Sequence, residues 1–152
     1  MTVYLDSQAT FLRTTFSNNK AGANGGAVVF QINRPHAVDG PSLVKDCVFK
    51  HNNASGTGGA MDVNSLFTTL LVHTTLIHFN YAGDSGGGLS GSNDAIVTVE
   101  DSVIANNAAR NKATDVVRLL IETGVKLNVV NEGWNHSPLD QCAWHGNRAE
   151  AS

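Results

Sequence analysis

Carboxylates come first, because two or three of them converging with Lys or Arg on one face can cleave a glycosidic bond. The candidates are Asp46, Asp62, Asp84, Asp94, Glu100 and Asp101. Histidines come next: His36, His51, His73, His78, His136 and His145. His73 and His78 lie five residues apart, which puts them on opposite faces of a strand. There is no CxxC or HxxxH spacing, so no metal and no cofactor are expected. Gly56-Thr-Gly-Gly59 and Gly83-Asp-Ser-Gly-Gly-Gly88 lack the Lys-Ser/Thr ending of a phosphate loop. Ser85 has no His and Asp context that would make it a nucleophile. Asn53-Ala-Ser55 and Asn135-His-Ser137 fit the glycosylation sequon, which matters only in a secreted chain. Cys47 and Cys142 read as buried thiols, since two cysteines make no disulfide framework. No catalytic residue is expected from this inventory.

A repeat positions these residues. In Phe49-Lys-His-Asn-Asn-Ala-Ser-Gly-Thr-Gly-Gly-Ala-Met61 an apolar residue is followed by Asn, then Ala, then Gly-Gly-Ala. The skeleton recurs as Phe16, Asn19, Ala21, Gly25-Gly-Ala27, and again as Ile77, Asn80, Ala82, Gly86-Gly-Gly88. A fourth copy, Ile104, Asn107, Ala109, loses its glycines at Ala113-Thr114. The anchors are 33, 28 and 27 residues apart, a solenoid period. β-rich runs precede each anchor, at 10–16, 42–49, 69–77 and 95–104, and shorter ones follow the glycines, at 27–32, 60–63 and 88–90. Such a unit folds into three short strands and three turns, one coil of a parallel β-helix.

Stacked coils bring equivalent residues to about 4.8 Å from one another. Phe16, Phe49, Ile77 and Ile104 then form an internal apolar column, with the small Thr14, Cys47, Thr75 and Ser102 at an inward corner. Asn19, Asn52, Asn80 and Asn107 form an amide ladder, and Asn also tolerates the left-handed backbone of a turn. Ala21, Ala54, Ala82 and Ala109 mark a close approach of coils. The pairs Gly25-Gly26, Gly58-Gly59 and Gly86-Gly87 supply positive φ and room at another corner. Asp46 and Asp101 fall in equivalent positions two coils apart, roughly 9–10 Å, wide for paired catalysis. Lys45 and His73 belong to a mixed polar stripe with Leu12 and Glu100.

Phe16-Ser-Asn-Asn19 with Gly25-Gly-Ala-Val28, and Phe49-Lys-His-Asn52 with Gly58-Gly-Ala-Met61, resemble the FxxN and GGA[ILV] signatures of polymorphic outer-membrane-protein repeats. The third copy departs, with Ile77 for Phe and Gly88 for Ala. The resemblance implies a right-handed, pectin-lyase-like β-helix of about four coils over 1–112. It also implies an adhesin-like, extracellular role without catalysis.

Composition changes near residue 112: twelve of the fifteen glycines lie before it. Beyond it, Val116, Val117, Leu119 and Leu120 follow helical spacing, with Thr114 as cap and Gly124 as stop. Asp115-Val-Val-Arg-Leu-Leu-Ile-Glu-Thr-Gly124 and Ser137-Pro-Leu-Asp-Gln-Cys-Ala-Trp-His-Gly146 resemble two halves of an ankyrin repeat. The expectation is a mainly β domain over 1–112 and an α-helical, ankyrin-like tail over 113–152. In that reading the 115–123 helix caps the last coil, and deletion of 113–152 causes association. Trp134 and Trp144 in the tail are possible partner contacts.

The chain begins within the pattern, so a piece of something longer is the expectation. Met1-Thr-Val-Tyr-Leu-Asp6 lacks the basic start and apolar run of a secretory signal. No run approaches the roughly 20 apolar residues of a membrane span. A net charge of −3 gives no reason to expect nucleic acid or an anionic membrane as partner. Compartment stays open: the first resemblance implies export, the second an intracellular place. The expected function is a non-catalytic module that holds a protein or glycan. Two alternatives remain: a remnant of a polysaccharide lyase or hydrolase, and an ice-binding solenoid, for which Thr14-Thr15 and Thr74-Thr75 supply only scraps of a threonine face.

Overall fold

The computed structural model describes residues 2–4, 8–31, 40–64, 68–93, 95–110, 119–121 and 126–129. After β1 (Thr2–Tyr4), the chain winds through β2 (Thr10–Leu12), β3 (Thr15–Ser17), β4 (Lys20–Ala21) and β5 (Val28–Gln31). The next coil repeats this as β6 (Ser42–Lys45), β7 (Val48–Lys50), β8 (Asn53–Ala54) and β9 (Met61–Asn64). A third follows with β10 (Thr69–His73), β11 (Leu76–His78), β12 (Tyr81–Ala82) and β13 (Leu89–Ser92). Then come β14 (Ile96–Glu100), the longer β15 (Val103–Ala109), β16 (Leu119–Ile121) and β17 (Lys126–Val129). Each strand pairs in parallel with its counterpart in the next coil, giving the stacks β1-β5-β9-β13, β2-β6-β10-β14-β16 and β3-β7-β11-β15. β4, β8 and β12 join the last stack through β15, which serves two faces at once. The described region is thus a β-helix-like solenoid of parallel sheets without a helix, and none of its elements could cross a membrane as a helix.

Alternation along each strand sends every second side chain inward. Val44, Leu70, Val72, Val97 and Val99 are fully buried from one stack, and Val28, Met61 and Val63 from another. In the third, Phe16, Phe49, Ile77 and Ile104 stand in direct register, and the backbone of Leu127 pairs with that of Ile104. The Phe16 and Phe49 rings stack at 4.6 Å.

Each coil bends at three corners. One residue in the left-handed region makes each of the first two bends. These are Arg13, Asp46, Thr74 and Asp101, then Asn18, His51, Phe79 and Asn106, with φ between 46° and 57°. Gly25, Gly58 and Gly86 make the third, at φ 60°, 66° and 64°. The left-handed position is therefore the residue before each ladder asparagine, not the asparagine itself. An asparagine in extended backbone can aim its amide along the stack, which is the work it does here.

At 119–121 the expected helix gives way to strand. Leu119, Leu120 and Ile121 pair with Val97, Thr98 and Val99, and Lys126–Val129 pairs with β15. The apolar spacing that reads as helical also suits a pleated surface. The open edge of β14 offers unpaired N–H and C=O groups, so pairing overrides a weak local helix preference. A helical cap over 115–123 is accordingly replaced, at 119–121, by a further rung. The second ankyrin-like half, with Trp134 and Trp144, lies outside the described residues.

Candidate functional site

The ladder asparagines are fully engaged in holding coils together. Asn52 Oδ1 accepts from the Asn19 backbone N–H and from its Nδ2, at 3.1 and 2.9 Å. Asn80 Oδ1 does the same for Asn52, at 3.0 and 2.9 Å, and Asn107 Oδ1 for Asn80, at 2.9 and 2.8 Å. Their Nδ2 groups also donate back to the carbonyls of Phe16, Phe49 and Ile77. A second ladder runs at the other corner. The Cys47 N–H donates to Thr75 Oγ1 at 3.3 Å, and the Thr75 N–H to Ser102 Oγ at 3.0 Å. Apart from the half-buried Asn19 at the start of the ladder, these side chains are buried and engaged between coils, so they leave little for a ligand to use.

What faces solvent beside the asparagine ladder is different. Phe49 and Ile77 point inward, so their neighbours Lys50 and His78, paired in register, point outward. The next residues, His51 and Phe79, occupy the left-handed corner. The two rings stack nearly parallel, 5.6 Å apart at 6°. His78 lies 5.0 Å from Phe79 and 6.4 Å from His51, ring centre to ring centre. Phe79 is 51% exposed. Beyond the corner, Asn53 and Tyr81 are in register on the outer side, because Ala54 and Ala82 are fully buried. Partial burial, followed by the nearby His51 and Lys50 charges, holds the His78 imidazole below its usual pKa.

Phe79 is costly where it stands. Bulky residues seldom adopt positive φ, whereas Asn and His do so more readily, and such strain is of order 1–3 kcal/mol. Equivalent corners carry Asn18, His51 and Asn106. The Phe79 ring packs on His51 and His78 at the surface and takes no part in the core.

The other outer corner carries the polar stripe of Lys45, His73 and Glu100, in register. His73 Nε2 meets Asp101 Oδ2 at 3.4 Å, and Thr74 Oγ1 lies 2.6 Å from His73 Nδ1. The Asp101 side chain is 64% exposed, so water screens this pair. Asp46 and Asp101 remain at separate rungs of this corner, with Thr74 between them. Among the described residues, no three His, Cys, Asp or Glu side chains come together as metal ligands.

Among the described residues, Asp62 is the one candidate acid drawn out of solvent, at 1% exposure. Thr57 Oγ1 donates to its Oδ1 at 2.7 Å, and Asn24 Nδ2 lies 3.4 Å from its Oδ2. Burial raises its pKa, against the lowering effect of hydrogen bonds from Thr57, Ser90 and Asn24. A raised folded-state pKa means the folded chain holds this proton more tightly than the unfolded one. The associated stability is fully present below the unfolded carboxylate pKa and is lost as pH rises through the folded value. Asp62→Asn is expected to flatten the dependence of the thermal midpoint on pH across the mildly acidic range. An unchanged slope would mean the carboxylate titrates normally.

In the sequence His51 and His78 stand apart, and no motif marks Lys50 or Phe79. The signal was available in the period: a shift of 28 residues lays Lys50 on His78 and His51 on Phe79. No known protein family, curated protein or solved structure matches the chain.

Proposed function

We propose that this chain is a non-catalytic binding module, an adhesin-like right-handed β-helix that holds a protein or glycan on its outer surface. The corner formed by Lys50, His51, His78 and Phe79 is its contact surface. The observation that carries this reading is Phe79, a half-exposed aromatic ring kept in left-handed backbone and stacked on His51. Aromatic rings give large contact area at low entropic cost, which suits them to recognition. The repeat resemblance supports the same role, since its motifs serve structure and leave the outer face free to vary.

Phe79→Asn separates binding from folding. Asparagine relieves the backbone strain, so the variant should be more stable by about 1 kcal/mol, read from urea denaturation. It should also lose the ligands that native protein retains on an array of immobilised glycans and peptides. A variant that keeps every native ligand would sink the reading.

A further inference from the structure

We infer that the ligand of this corner is a carboxylated polysaccharide, a chain containing uronic acid, whose sugar ring lies on Phe79 and whose carboxylate meets Lys50 and His78. The inference rests on the binding reading above and names its ligand class.

Three observations lead to it. First, the corner gathers one cation, Lys50, and two imidazoles, His51 and His78. Lys50 and His78 are in register on adjacent coils, and His51 follows Lys50 directly. On the strands flanking β11, the groups beside His78 are Lys50 on β7 and the uncharged Ala105 on β15. Burial first, then His51 and Lys50, disfavours the His78 proton, and neither flanking residue, Lys50 or Ala105, brings it a carboxylate. A uronic acid ligand would supply one. Second, the Phe79 ring is half exposed, and the equivalent position in the next coil is only Asn106. The negative face of an aromatic ring attracts the partially positive C–H groups on the face of a sugar. Third, Asn53 and Tyr81 form the neighbouring outer column and offer an amide and a phenol to sugar hydroxyls.

Other polyanions fit less well. One Lys and two imidazoles are few contacts for a nucleic acid, whose affinity comes from many phosphate neutralisations. The chain as a whole carries −3, so general attraction to polyanions is absent and recognition must be local. Protein hot spots favour well-packed, desolvated pockets, whereas this corner is convex and solvated.

A bound carboxylate favours protonated His78, so binding and protonation are linked and affinity rises as pH falls through the imidazole range. The test titrates native protein with hyaluronan, its methyl ester, neutral dextran and dextran sulfate, at about pH 6 and about pH 8. Hyaluronan should bind at least about fivefold tighter at the lower pH, and the ester and dextran should not bind. His78→Gln should remove the pH dependence, Lys50→Gln should weaken binding at both pH values, and Phe79→Asn should abolish it while the protein stays folded. Equal binding of the methyl ester or dextran overturns the carboxylate assignment and leaves the binding module standing. Dextran sulfate binding that survives Phe79→Asn overturns it as nonspecific charge attraction. If no polysaccharide binds, the inference fails. If the glycan and peptide array is also blank, the functional reading fails with it.

Discussion

Asn80→Ala should destabilise the solenoid by about 3–5 kcal/mol, enough to unfold a domain of ordinary stability near room temperature. Asn80 sits at 1% exposure in the middle of the ladder and serves two neighbours at once. Its Oδ1 takes both the backbone N–H and the Nδ2 of Asn52. Its Nδ2 gives to Asn107 Oδ1, to the Phe49 carbonyl at 3.1 Å and to the His78 carbonyl at 3.0 Å. Alanine leaves the Asn52 N–H and the Phe49 carbonyl buried without these partners. Each unsatisfied group carries its own desolvation penalty of about 1–3 kcal/mol, and a void one amide wide adds lost contacts. Asn19→Ala is the control. Asn19 begins the ladder, is only half buried, and its side chain donates to Asn52. Its loss should cost about 1 kcal/mol. Urea denaturation of both variants checks the difference, and equal midpoints would show that the ladder does not work as a relay of paired amides.

How much of this could be read beforehand depended on whether the physics is periodic. The coil period was legible because stacking forces like residues together: the same 28-residue step that separates Asn52 from Asn80 separates Phe49 from Ile77. Corner geometry was less legible. Polar side chains in the ladder looked like turn residues, yet the bend falls one position earlier, on side chains as unlike as Asn18, His51, Phe79 and Asn106. No composition rule marks that set. The end of the repeat was misread for a related reason. Four apolar residues at 116, 117, 119 and 120 satisfy a helical pattern, but the edge of β14 supplies hydrogen-bond partners that sequence periodicity does not register. The candidate site stayed hidden because it is built across coils. Lys50 and His78 are far apart in the chain and meet only once the register is laid out.

Gly59→Ala should be nearly as damaging, by about 3 kcal/mol or more, although it adds a single methyl group. The adjacent glycines divide the work of the third corner. Gly58 takes the left-handed backbone at φ 66°, while Gly59 provides room. A Cβ on Gly59 would stand 2.0 Å from the Gly87 carbonyl oxygen and 2.6 Å from the Tyr81 carbonyl, both in the next coil. These are backbone atoms, so no rotamer change can clear them. The coils would have to part, and Asn52–Asn80 hydrogen bonds of 2.9 Å cannot stretch with them. The damage should therefore spread beyond the corner: amide exchange at Asn52 and Tyr81 should accelerate in Gly59→Ala along with the loss in thermal midpoint. Gly22→Ala tests the same chemistry where space is free. Nothing lies within 4 Å of its added Cβ, and its backbone is not left-handed, so stability should change by no more than about 0.5 kcal/mol. If both variants melt together, close approach of coils is not what selects glycine at position 59, and the tight stacking argued for this solenoid would have to be abandoned.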